Sequence, residues 1–192
     1  MTTLLRIVPP KDFEALSVTQ ARAFLARYVA TSADRLEQFI ELVAATGGPA
    51  RERLDRSPES LVPLHAWFVS RARRADAPDA AGELPEWYEP DPPALASSRL
   101  APRTIADADG LALYFAEVLR RAMPGLRWDI GKEPKRLRYA HQHKPLLKDS
   151  DLDIDVIGIA YGMGVRAAIM GTSLEPEALL TVYRAWTEAP SS

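Results

Sequence analysis

The apolar positions of this chain recur mostly at intervals of three and four residues, the spacing of helices with one buried face. Ala21, Phe24, Leu25, Tyr28 and Val29 form the first stripe. Ser17-Val-Thr-Gln20 ahead of it has the form of a capping box, in which the hydroxyl accepts from the third helical N–H and the Gln side chain reaches back. Thr31-Ser-Ala-Asp34 predicts a second start, and Leu36, Phe39, Ile40 and Val43 carry the period until Gly47-Gly48-Pro49 ends it. A third helix opens with Ser57 as N-cap and Pro58 where a missing N–H costs nothing; Leu61, Leu64, His65 and Phe68 form its inward face. Thr104-Ile-Ala-Asp107 predicts the start of a fourth, with Leu111, Tyr114, Phe115, Val118 and Leu119 buried and Pro124-Gly125 as its stop.

The period then changes. Leu126, Trp128 and Ile130 alternate with Arg127 and Asp129, which predicts a strand. Gly131-Lys-Glu-Pro134 can turn the chain, and residues 137–143 then return as a second strand with Tyr139, His141 and His143 on one face. Residues 154–170 read two ways: their apolar content suits a buried strand, while their length, Ala and Gly content favour a helix packed closely through Gly158 and Gly162. A last helix follows Glu175-Pro176-Glu177, with Leu179, Val182, Tyr183 and Trp186 inward.

Prolines at 78, 85, 90, 92, 93 and 102 exclude a continuous helix or a central strand between residues 75 and 103. Trp87 and Tyr88 stand in the middle of that stretch, and a free linker is poor in aromatics. The expectation is an ordered connection packed through Trp87. The fold class expected is α+β and helix-dominated, with about six helices around a small antiparallel β-hairpin. Residues 1–192 form one domain on this reading: N-terminal helices at 17–74, the connection at 75–103, and helix, hairpin and C-terminal helices at 104–192.

Composition narrows the function. With 24 basic and 26 acidic residues the net charge is -2, so a nucleic-acid binder would need a local basic patch. The absence of cysteine removes disulfides, thiolate metal sites and a cysteine nucleophile, and suits a cytoplasmic location. The N-terminal run lacks the length and flanks of a secretion signal, and no apolar window is long enough for a membrane span.

Three segments could carry chemistry. His141 and His143, two apart on a strand, could share a metal with nearby carboxylates such as Glu133, Asp149, Asp151 or Asp153, giving a metal-dependent hydrolase. Asp149-Ser-Asp151-Leu-Asp153-Ile-Asp155 opens like a calcium loop, but Ile154 and Ala160 stand where that loop needs its Gly and its bidentate Glu. Residues 127–148 hold seven basic side chains (Arg127, Lys132, Lys135, Arg136, Arg138, Lys144 and Lys148) with Trp128 and Tyr139 interleaved. Such a hairpin can meet an acidic protein or track a single-stranded nucleic acid.

The segment Leu54-Asp-Arg-Ser-Pro-Glu-Ser-Leu61 with Trp67, followed by Tyr114-Phe-Ala-Glu117 and Arg127-Trp128, resembles a group of small bacterial proteins, chiefly actinobacterial, that carry no established activity. The resemblance spans roughly residues 35 to 186 and transfers no catalytic residue. Some small proteins of this general style act as immunity proteins for polymorphic toxins, which is an analogy of style and not a resemblance of motifs.

No triad, phosphate loop or complete ligand set is present in the sequence, so no cofactor is expected. The preferred reading is a non-enzymatic cytoplasmic protein-binding module, immunity-like or regulatory, using Arg127, Lys135, Arg136, Arg138, Tyr139, His141 and His143 toward another protein, with no role at a membrane. The alternatives are the hydrolase using His141, His143, Asp149 and Asp151, and the nucleic-acid binder through the same hairpin.

Overall fold

The structure, a computed structural model, describes residues 13–76, 82–88, 99–132, 141–171 and 174–188. The capping box forms as its residues require: the Ser17 Oγ accepts from the Gln20 N–H at 3.2 Å, and the Gln20 Oε1 accepts from the Ser17 N–H at 2.8 Å. Helix α1 (Val18–Ala30) follows and ends at Thr31, which is also the residue from which α2 (Ser32–Ala45) begins. Thr31 does not cap α2 with its side chain; the hydroxyl donates back to the Arg27 carbonyl at 3.3 Å.

Ser57 accepts from the Ser60 N–H at 3.3 Å and opens a single 3-10 turn, Pro58–Ser60, that leads into α3 (Leu61–Arg71). Helix α4 (Pro102–Ala122) starts two residues before the expected Thr104, with Pro102 in the first turn. Proline suits that position because its φ is preset and its missing N–H would have had no helical partner. Thr104 is buried instead, and its Oγ1 accepts from the Arg73 N–H at 2.9 Å, tying α4 to the exit of α3.

Helix α4 is buried on nearly every side, because α2, α3 and α5 (Val156–Ala168) all pack on it. Its Gly110 lets α2 approach: a Cβ there would stand 2.1 Å from the Phe39 ring. Gly110→Ala is expected to lower stability by about 1–2 kcal/mol, a net of overpacking against the roughly 1 kcal/mol that alanine gains over glycine in a helix. An unchanged urea midpoint would show that Phe39 can yield.

The sheet has three antiparallel strands in the order β1 (Arg127–Ile130), β2 (Pro145–Lys148), β3 (Asp153–Ile154). The strand paired with β1 is therefore 145–148; of the return strand expected at 137–143, residues 137–140 lie outside the described residues. Leu146 and Leu147 are both fully buried and supply the apolar pair that the polar run before them lacks. Pro145 stands at the first residue of β2, where β3 does not reach, so its missing N–H breaks no ladder on that side. Residues 141–143 form a turn rather than a strand face; His143 has a left-handed backbone (φ 62°) and its N–H donates to the Gly131 carbonyl at 2.7 Å.

The two-way segment is helix α5. Its approach to the core runs through Gly164, where a Cβ would lie 3.0 Å from Leu100 and 3.3 Å from Phe68. Gly158 has a different role from the expected one: it makes room for Asp155, which caps the helix by accepting from the Gly158 N–H at 2.7 Å. Gly162 is buried. Helix α6 (Ala178–Thr187) packs on α3, with Leu179 and Leu180 buried and Val182, Tyr183 and Trp186 partly covered. No helix among the described residues is long and apolar enough to cross a membrane.

The proline-rich connection is anchored as the aromatics predict. Trp87 is completely buried, with Tyr88 and Tyr161 edge-on to its ring. Its two ends are pinched together by an antiparallel bridge between Arg74 and Leu100, with the Ala75 N–H donating to the Arg99 carbonyl and the Ala101 N–H to that of Arg73.

Candidate binding groove

Of the expected partner-binding residues, Lys135, Arg136, Arg138 and Tyr139 lie outside the described residues, as does Glu133. Arg127 and Lys132 are exposed, and Arg127 donates to the carbonyls of Pro124 and Leu126. Trp128 turns to the body and meets Tyr28 edge-on at 5.5 Å. Lys144 and Lys148 are drawn inward: the Lys144 Nζ is 3.6 Å from Asp155 and the Lys148 Nζ is 2.8 Å from Asp153. At these positions the basic and acidic runs pair within the chain.

His141 and His143 do not share a strand face. The His141 Nδ1 faces Asp155 at 3.3 Å, while the buried His143 places Nε2 3.1 Å from the Gln142 amide. Asp149 and Asp151 stand exposed in the turn between β2 and β3. Among the described residues no three His, Asp or Glu side chains are grouped to hold a metal ion. Burial alone would push the Asp155 carboxyl up; the hydrogen bond from His141, the Lys144 charge and the Gly158 N–H outweigh it and hold the group below its ordinary range.

A second buried acid, Asp109 on α4, was not singled out by sequence. The available signal was a carboxylate among the apolar positions of the most buried helix. Its Oδ1 accepts from the Trp87 Nε1–H at 2.7 Å and the Tyr28 hydroxyl at 3.2 Å, and its Oδ2 lies 2.5 Å from the Arg35 guanidinium. Arg35 also donates to the Tyr28 carbonyl at 3.1 Å and lies 4.4 Å over the Tyr28 ring. Burial pushes the Asp109 carboxyl up, and Arg35, Trp87 and Tyr28 only partly offset that. The knot joins α1, α2, α4 and the connection.

His65 on α3 is also fully buried, with its Nδ1 3.2 Å from the Pro176 carbonyl ahead of α6. Burial lowers its pKa, since an imidazolium would lose its hydration, and the Pro176 bond only partly opposes this. The unfolded imidazole, at about 6.5, then binds its proton before the folded one does. The contribution is fully present above that pH and is lost as pH falls through the lower folded value. The urea midpoint is therefore expected to drop between pH 7.5 and 5.5, and to drop less in His65→Gln; equal slopes for the two proteins would remove His65 as the cause.

Over the Asp109 knot lies a groove of about 380 Å³ between α2, residues 82–88 and α4. Leu42 and Leu84, which flank it, are 40% and 39% exposed, and with Met170 they are the large apolar side chains exposed among the described residues. Phe39 and Gly110 lie beneath, beside the Arg35–Asp109 pair. Gln38, Glu83 and Glu86 form the polar rim, and Glu86 is paired with Arg27. A second cleft of about 350 Å³ lies against Trp128, but its charges pair with one another, Arg56 with Glu37 at 2.6 Å and Arg120 with Glu117 at 2.7 Å. Comparison with protein-family models, with curated proteins and with solved structures gave no match.

Proposed function

We propose that this chain is a non-enzymatic, cytoplasmic protein-binding module that docks its partner in the groove over Asp109. The observation that carries the reading is the placement of Leu42 and Leu84: two of the exposed large apolar side chains converge on one concave site with a polar rim. That combination is the anatomy of an interface core and its surround. Asp109, Asp155 and His65 are engaged in joining elements of the fold, which supports binding over catalysis. The lack of cysteine supports the compartment.

The test is the double variant Leu42→Asp with Leu84→Asp. Both side chains are among the exposed ones, and a cooperative urea transition of the variant shows that its fold is kept. A partner cross-linked to the wild-type chain in its native host should bind the variant at least tenfold more weakly. Equal affinity would move the interface elsewhere.

A further inference from the structure

We infer that the segment received by the groove is an apolar anchor flanked by lysine or arginine. This inference rests on the binding role proposed above. The charges of the groove decide it. Arg35 is matched by Asp109 and Arg27 by Glu86, while Glu83, an exposed carboxylate one residue from Leu84, forms no ion pair among the described residues. Taken together, the lining carries three carboxylates and one guanidinium. A cationic side chain beside the anchor meets Glu83 at the rim, while its neighbour fills the space between Leu42 and Leu84. An acidic segment is repelled at the same place. Phosphate groups are repelled too, so nucleic acid and anionic lipid do not fit this site. The volume holds a few side chains, which suits a single segment laid across the groove. The exposed Gln38 amide on the rim can bond that segment's backbone, since it both donates and accepts.

Panning a random dodecapeptide display library on the full chain tests the assignment. The selected peptides should carry Leu, Ile, Met or Phe with Lys or Arg within one helical turn of it. The best of them, synthesised, should bind the Leu42→Asp, Leu84→Asp variant at least tenfold more weakly. Glu83→Gln should weaken them about two- to fivefold, as a rim ion pair does, and reduce the dependence on salt. Selected peptides with Asp or Glu beside the anchor, or affinities unchanged in Glu83→Gln, would overturn the inference and leave the groove in place. Peptides that ignore the double variant, or no enrichment at all, would overturn both the inference and the groove.

Discussion

Replacing Trp87 by alanine lowers the free energy of unfolding by about 3–5 kcal/mol, the cost of removing a large side chain from a closed core. The indole is fully buried, with Tyr88 and Tyr161 edge-on to its ring and its Nε1–H on Asp109 of α4, so its removal opens a cavity in the core. The substitution also strips the Asp109 carboxylate of one of its donors. Trp87→Phe separates the two effects: it keeps most of the apolar volume and leaves the carboxylate short of a bond, at about 1–3 kcal/mol. Both values follow from urea unfolding at neutral pH. A loss under about 1 kcal/mol for alanine would show that residues 82–88 are not fastened to the body through this side chain.

Asp109→Ala is expected to be equally damaging, at about 3–5 kcal/mol, because removing one partner of a buried ion pair leaves the other charge uncompensated. Arg35 loses its counter-ion, and the Trp87 and Tyr28 donors lose their acceptor together. Asp109→Asn should cost less, since the amide keeps an acceptor oxygen and carries no charge to desolvate. Its pH dependence opposes that of His65. The folded carboxyl titrates above its unfolded value near 3.9, so its contribution is greatest below that pH and falls as pH rises through the folded value. Trp87→Ala combined with Asp109→Ala should fall short of the sum of the single losses, because both remove the same hydrogen bond. Strict additivity in that double-variant cycle would show the two groups to be uncoupled.

The helices were legible because each is written by local rules. Ser17 with Gln20 marks a start, Gly47-Gly48-Pro49 a stop, and a stripe such as Leu36, Phe39, Ile40 and Val43 a buried face. Trp87 was legible as an anchor because an aromatic in a proline-rich run has little reason to be there unless it is buried. The strand that pairs with β1 was missed because register is set by the partner strand: Leu146 and Leu147 are an apolar pair too short to show a period. The role of Gly158 was misassigned for a related reason. Spacing shows that two glycines share a helix face, but not that the nearest object to one of them is its own capping carboxylate. The groove was illegible, since Leu42 and Leu84 are far apart in sequence and each reads as an ordinary apolar residue. The pairing of Lys144 with Asp155 was hidden in the same way, by a fold that brings a basic run back onto an acidic one.

The bridge between Arg74 and Leu100 has a consequence for how the chain tolerates being broken. Because its two ends meet at one point, the helices and sheet before and after the connection are held to each other by the core, to which Trp87 and Tyr88 of the connection also belong. One cut at the exposed Gly82–Glu83 bond should therefore yield two fragments that stay associated through gel filtration and separate only in denaturant.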